Sequence, residues 1–379
     1  MKILLLGEYS GAHNNLRKAL KQEGHEVKLV SDGDGYKCLD SDVFIKYERK
    51  ASTNKLSKIS RILLLYSGFQ GSIQIFKHIQ TLKEFKGYDV VQLINPIFLN
   101  EFGPIVNFFV FKYIRKNNKK VFLSALGDDY FWIKYCLDRN FEYSMFDDLS
   151  LKSIKRYIYP LSYVYGFFNP FLNRYIAKNV NAIIPGLYDY YAAYKQFENC
   201  TDIVPLIVDD VEKDIEIVKQ FRYPIKIFHG WQPNKESRKG NDIFDKAIKS
   251  LIKKYPNKID YKIVAGVPYS EYINSFNEAD IFIDQCFSQD KGINALLGMK
   301  SGKVVFSGFE DKVKQYYHIE DEPLVNAIPN SDSIFEELEH IVLNPSLIPK
   351  YSLKARKYIE KFHNSKYVLE KYFKIWKEY

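Results

Sequence analysis

Short apolar runs recur along the chain, each closed by glycine, proline or an acidic turn, and segments with helical spacing lie between them. Residues 2–6 (Lys-Ile-Leu-Leu-Leu) form an apolar run ended by Gly7. Such a run fits a strand covered on both faces, as in a parallel sheet between helix layers. After the loop Gly7 to Gly11, Leu16, Ala19 and Leu20 fall at spacings of three and four, and the helix they predict ends near Gly24. Glu26 to Val30 reads as a second strand, closed by Ser31-Asp32-Gly33-Asp34-Gly35. Strand, helix and strand within about 30 residues make a βαβ unit. Further runs at Asp89 to Ile94, Val121 to Leu126, Ala182 to Ile184 and Ile203 to Val208, with helical stretches between most of them, predict a parallel sheet with helices on both faces.

Residues 209–224 are charged and lack strand character, which places a domain junction there. A second series follows. Ile225 to Phe228, Tyr261 to Val264, Asp280 to Asp284 and Val304 to Ser307 read as strands. Asp242 to Leu251, Tyr269 to Phe276 and Ile293 to Lys300 read as helices, as do residues 331–343 and 350–378. The expected fold class is α/β, with two Rossmann-like parallel-sheet domains facing across a cleft. The expected domains are 1–210, 211–360 and a C-terminal helix at 361–379, with the option that this helix packs back on the first domain.

Composition narrows the function classes. The chain has 379 residues, 46% hydrophobic and 27% charged, which is globular composition at about twice the common domain size. Lysine and arginine number 55 against 46 acidic residues, a net +9 that is spread along the chain. Phosphorylated small molecules, an acidic membrane surface and nucleic acid all stay open on charge alone. With 30 Tyr and 28 Phe, some rings are expected on a surface or lining a groove. The four cysteines are far apart, against a zinc site or disulfide framework and in keeping with a reducing cytoplasm. The first apolar run is too short for a signal peptide, and Ile105 to Phe111 is broken by Asn107 and followed by Lys112. A soluble or peripheral protein is implied. Two stretches, Phe108 to Lys120 and Lys152 to Lys178, mix aromatics with bases. They suit anionic lipid or a lipid-linked acceptor, and equally an aromatic helix packed on the sheet. No dense basic patch supports nucleic-acid binding.

Ligands of open parallel sheets bind at the carboxyl ends of the strands, so the loops there carry the candidate chemistry. In the second half these are His229-Gly230 with Arg238-Lys239-Gly240, then Ala265-Gly266-Val267-Pro268-Tyr269, then the segment from Asp280 to Gly302. With these three segments the chain resembles the nucleotide-sugar glycosyltransferases of the two-Rossmann-domain type (the GT-B fold), in particular the large family that builds bacterial surface polysaccharides. The resemblance implies that Lys239 holds the donor diphosphate, that Gly240 lets the backbone approach, and that His229 and Arg238 assist. It places Gly266 and Tyr269 near the nucleotide base, and Gln289, Gly292, Asn294 and Ala295 at the donor sugar. The chemistry is coherent. A nucleoside diphosphate gains negative charge as it leaves, and a fixed cation with backbone N–H groups stabilises that charge. Many members of the family carry two glutamates eight positions apart, where this chain has Gln289 and Leu297. That departure leaves the donor contacts and the stereochemistry open.

In the first half, Glu8 and His13 follow the first strand and Asp128 follows the run Val121 to Leu126. Asp128, ahead of His13, is the expected base for an acceptor hydroxyl, with a helix cap as the plain alternative. Asp32-Gly33-Asp34 reads as a turn rather than a metal site. No Gly-x-Gly-x-x-Gly follows the first strand, against a nicotinamide enzyme. The expected function is sugar transfer from a nucleoside diphosphate to a lipid-linked or polysaccharide acceptor, without metal or other cofactor and without nucleic acid. The expected place is the cytoplasm, with the inner face of the cell membrane as a further surface. The alternatives are a catalytically silent, glycosyltransferase-like binding subunit of a polysaccharide-synthesis complex and a peripheral membrane scaffold.

Overall fold

A computed structural model describes residues 1–32, 39–48, 55–208, 223–231, 236–266 and 269–379. The chain divides into two compact units, one of Met1–Asp138, Tyr157–Ile207 and Ser365–Tyr379, the other of Arg139–Arg156 and Val208–Asn364. Each is built on a parallel sheet with helices, which bears out the expected class.

In the first unit the strands are β1 (Lys2–Leu6), β2 (Glu26–Ser31), β3 (Val43–Phe44), β4 (Val90–Leu93), β5 (Lys120–Leu123) and β6 (Ala182–Ile183). Their order is β3-β2-β1-β4-β5-β6, all parallel. Ile3 to Leu6 are fully buried, as their unbroken apolar run predicts. The order reverses between β1 and β4, the kind of point at which open parallel sheets bind ligands, and the loops after these two strands touch there, with the Tyr9 hydroxyl donating to the Ile97 carbonyl at 3.4 Å. The helix Ser365–Glu378 covers this sheet. Its Val368, Leu369, Tyr372 and Trp376 join the core of β1, β2 and the helix Ala12–Gln22. One polar seam runs through that apolar layer. Gln92 on β4 donates to Ser124 Oγ at 2.8 Å and accepts from the Trp376 indole at 3.2 Å.

The second unit holds β7 (Ile225–Gly230), β8 (Ile259–Val264), β9 (Ile281–Ile283), β10 (Val304–Ser307) and β11 (Val325–Asn326), in the order β11-β10-β9-β7-β8. Here the order reverses at β7 and β9, which pair with His229 opposite Ile283. The loops that follow these two strands are the ones the sequence marks.

Several expectations need correction. Ile203 to Val208 is not a strand. It is a buried irregular segment in which Pro205 lacks an N–H and Val204 donates to the Pro185 carbonyl at 3.0 Å. The continuous helix expected over 350–378 is two, Leu347–Phe362 and Ser365–Glu378, parted at His363 and Asn364. The strand at Val121 ends at Leu123, because Ala125 takes a positive φ and turns the chain out of the sheet. The strands β3 and β11, two residues each, gave no sequence signal. Most of the expected junction, 209–222, lies outside the described residues, as do Gly33, Asp34 and Gly35. Asp32 accepts the Glu101 N–H at 2.8 Å.

Asn107, expected only as a polar break in an apolar run, is fully buried and organises the loop after β4. Its Oδ1 accepts the Leu99 N–H at 2.9 Å. Its Nδ2 faces the carbonyls of Leu99, Phe102 and Gly103 at 2.9–3.1 Å. Asn107→Ala strands these groups without water, and a buried unsatisfied group costs roughly 1–3 kcal/mol. The expected loss is about 2–4 kcal/mol, read as a lower urea midpoint followed by tryptophan fluorescence.

Candidate functional site

At the carboxyl edge of the second sheet, Lys239 and Asp284 meet. The Lys239 ammonium lies 2.8 Å from Asp284 Oδ1, and both side chains are largely withdrawn from solvent. Ser307, at the end of β10, donates to Asp284 Oδ2 at 3.0 Å. Two strand ends, those of β9 and β10, and the short helix Glu236–Lys239 therefore converge on one ion pair. The turn that carries Lys239 is fixed by Gly240, which caps the helix Asn241–Lys254 at φ 71°, in the left-handed region. A Cβ added there would lie 2.2 Å from Cys286 Sγ. Cys286 in turn donates its N–H to the Lys239 carbonyl at 3.1 Å. The two loops are locked together, which is the packing reason for glycine beside the lysine. Arg238 is half-buried on the same turn.

His229 is fully buried, with Nδ1 2.8 Å from the Tyr261 hydroxyl and its ring against Trp231. Burial above all, and the Lys239 charge, hold its pKa down at about 4, against the pull of Asn241, Asp245 and Asp284. The imidazole is neutral at physiological pH, so it adds no charge beside Lys239. Gly266 is exposed at the end of β8, and the helix Tyr269–Asn277 starts close behind it.

The loop from Asp284 to Gly292 leads into the helix Ile293–Lys300, where Gly292 stands at the N-cap with no side-chain cap. Ala295 is buried in the core and Asn294 is half-buried. At this end of the helix the uncapped amides are the groups offered to an anion. Gln289 is buried, with Nε2 3.4 Å from the Tyr143 carbonyl, and its own carbonyl accepts the Glu310 N–H at 3.0 Å. Leu297 is exposed. Asp290, the nearest carboxylate to the missing glutamate position, is fully buried against Lys291 at 2.8 Å. The Lys291 ammonium lies 4.7–5.0 Å from the ring centres of Phe309, Tyr317 and Tyr358. It is a caged cation within the loop.

Sequence reasoning missed Lys291, Asp284 as the partner of Lys239, and Glu310. Glu310 Oε1 accepts from the Tyr143 hydroxyl and from Asn326 Nδ2, the latter at 2.9 Å. Its signal was available, since it follows the strand-end turn Gly308-Phe309 just as Asp128 follows Gly127.

The first sheet has its own cluster. Glu8 accepts the backbone N–H groups of Gly11 and Asn14 at 2.9 and 2.7 Å, so its carboxylate caps the first helix. His13 donates Nδ1–H to the Gly7 carbonyl at 2.8 Å, and burial lowers its pKa to about 4. A base so weak is poorly matched to proton transfer near pH 7. Asp128 is buried beside Tyr9 and Tyr163, a phenol that burial first, then Tyr159, Tyr9 and Asp128, keep protonated. The helix cap foreseen for Asp128 falls instead to Asp129. That carboxylate accepts the Trp132 N–H at 2.8 Å and the Tyr194 hydroxyl at 2.6 Å. Among the described residues no group of three or more His, Cys, Asp or Glu side chains is placed to hold a metal ion.

No family model and no curated relative matches the chain. Solved structures do. A sucrose-phosphate synthase from Thermosynechococcus elongatus matches with a TM-score of 0.58 at 12% identity, over 100% of this chain and 99% of its own. HepE from Anabaena, solved with UDP and glucose, matches with a TM-score of 0.55 at 12% identity, over 99% and 98%. A glycosyltransferase from Rickettsia africae matches with a TM-score of 0.52 at 14% identity, over 99% and 97%. At these identities the likeness is one of fold, and the fold is the GT-B type that the sequence led us to expect.

Two predictions follow from the local energetics. Burial, the largest influence, raises the Asp129 pKa from the ordinary 3.8 to about 7, against the Tyr194 and Trp132 hydrogen bonds. The folded state then binds its proton more tightly than the unfolded state does. This contribution to stability is complete below about pH 3.8 and is lost as pH rises through about 7. Asp129→Asn should flatten the stability profile across that window in urea titrations at stepped pH. Separately, Lys291→Met removes the ammonium that faces the buried Asp290 carboxylate, at a cost of about 3–5 kcal/mol. Adding Asp290→Asn should recover most of that loss, as measured by thermal unfolding of the single and double variants.

Proposed function

We propose that the chain transfers a sugar from a nucleoside diphosphate donor to a hydroxyl of a lipid-linked or polysaccharide acceptor. The observation that carries this reading is the Lys239–Asp284 pair at the β7/β9 switch point. A lysine ammonium has three N–H donors, so one can stay on Asp284 while others meet phosphate oxygens. Asp284 fixes the ammonium in advance and offsets its charge until a diphosphate arrives. The amides that open the helix Ile293–Lys300 then share the developing charge with Lys239. HepE, of like fold, is solved with UDP and glucose, which supports a uridine diphosphate sugar as the first donor to test.

Gln289 offers the sugar a neutral amide, and no step is assigned to Leu297. On the acceptor side we keep Asp128 as the base. Glu8 is committed to its helix cap, and His13 is held neutral with too low a proton affinity. We place the protein in the cytoplasm, at the inner face of the membrane where a lipid-linked acceptor is reached. Metal-independent transfer is part of the proposal.

A second reading, the silent binding subunit, draws on one observation: Asp290 is taken up by Lys291, so the donor loop has no substitute carboxylate at that point. Release of nucleoside diphosphate from a panel of nucleotide sugars, in the presence of membrane acceptors, separates the two. Calorimetric binding of a nucleotide sugar without any release would favour the silent subunit.

Lys239→Ala together with Asp284→Asn removes the cation without orphaning a buried carboxylate. The expected result is a kcat/KM lower by about 10²–10³, some 2.7–4 kcal/mol of transition-state stabilisation, with the thermal midpoint nearly kept. An unchanged rate in this double variant would reject the role given to Lys239.

A further inference from the structure

The first unit carries an apolar face that its own fold leaves uncovered. The helix Lys55–Ser67 places Leu56, Ile59, Ile62 and Leu63 on one side, and all four are exposed, Leu56 at 81%. The turn beyond it adds Phe69, Phe76 and Ile73, the last at 86%. A second segment lies beside this helix. The Phe167 N–H bonds the Tyr66 carbonyl at 2.7 Å, which brings the 78%-exposed Phe167 ring alongside that helix. Phe168 and Phe171 pack in turn on Phe108, next to the exposed Phe109. A patch of this extent on a soluble unit marks an interaction surface.

Its charge identifies the partner. Residues 56–78, 104–117 and 157–179, which build the face, contain none of the chain's 46 acidic residues, yet hold eight lysines and arginines. Lys58, Lys112, Arg174 and Lys178 are among them. At the rim, Glu48 pairs with Lys77, and Glu101 lies against Gln70, whose Nε2 donates to its carbonyl at 2.8 Å. An isologous dimer through this face would set like charges against each other. An anionic bilayer would neutralise them and accept the rings and aliphatic side chains at once.

We infer that this face of the first unit, centred on the helix Lys55–Ser67 and the turn after it, seats on an anionic lipid bilayer. Leu56, Leu63, Ile73 and Phe76 enter the acyl boundary, and the lysines and arginines meet the headgroup phosphates. The biological sense of the contact rests on the lipid-linked acceptor proposed above. The binding itself is measured without donor or acceptor, so it fails or stands apart from sugar transfer.

The test is co-sedimentation of the full chain with vesicles of phosphatidylcholine alone and of phosphatidylcholine with an equal part of phosphatidylglycerol. Binding is expected only to the second, weakening as salt rises. Ile73→Glu with Phe76→Glu should weaken it by roughly tenfold or more. Because both side chains are exposed, circular dichroism and the thermal midpoint should not move. Phe167→Ser, at the other end of the face, gives an independent check. Failure of the folded wild type to bind anionic vesicles overturns the inference, and so does binding that both variants leave intact. A concentration-dependent dimer abolished by the same substitutions, without vesicle binding, would assign the face to a second copy and equally overturn it.

Discussion

An ammonium held between a carboxylate and three aromatic rings fixes the segment on which the rest of the candidate donor site depends. Burying either Asp290 or Lys291 alone would cost several kcal/mol. Together, with the ring faces of Phe309, Tyr317 and Tyr358 turned to the cation, the pair has one low-energy arrangement. The loop cannot breathe without exposing that cation or separating it from its partner. Its neighbours show the same tightness. The Ser288 carbonyl passes Gly308 so closely that an added Cβ there would sit 1.9 Å from it, and the Gln289 carbonyl is taken by Glu310. The amides that open the helix Ile293–Lys300 therefore have fixed directions before any ligand arrives, and such preorganisation is what charge stabilisation requires.

That rigidity reaches Lys239 through Cys286. The cysteine fills the space that only glycine leaves at position 240, and its N–H holds the Lys239 carbonyl. The cation of one strand end and the amides of the next are parts of a single scaffold. The ion pair also explains how a lysine can wait withdrawn from water: Asp284, steadied by Ser307, supplies the countercharge. His229 sits behind this pair as a neutral ring, which is the sensible choice beside a cation, since a second positive charge would push Lys239 away.

What could be read from the sequence was what local pattern controls. Strands buried on both faces announce themselves as unbroken apolar runs, and β1, β9 and β10 were found within a residue or so. The helices Ile293–Lys300 and Ser331–Leu343 were bounded as they stand. Ile203 to Val208 is as apolar as any of them, yet it folds as a buried irregular segment because Pro205 removes a ladder donor. The site followed the same division. Lys239 was singled out through the family resemblance, which rests on a short local segment, a basic residue directly before Gly240. Asp284, Glu310 and the cage around Lys291 were not, because their partners come from 45, 167 and up to 67 residues away. Asp290 looked like a spare carboxylate until its neighbour proved to be a buried lysine.

The adjacent carboxylates Asp128 and Asp129 carry the same lesson into the first unit. Sequence alone offers two equivalent side chains after Gly127. The fold gives them unlike surroundings: Asp129 enters the core as a helix cap bonded by a phenol 65 residues distant, while Asp128 stays at the strand-end edge beside Tyr9 and Tyr163. Neighbouring carboxyl groups pushed into different environments can take different tasks. Here burial settles which one is structural. The carboxylate with the raised pKa is the one locked into the scaffold, so a perturbed pKa does not by itself mark the reactive group. The geometry of hydrogen bonds decides. A side chain that already accepts from a backbone N–H and a tyrosine has less left to offer an acceptor hydroxyl, which is why the proposal gives the proton-accepting task to its neighbour.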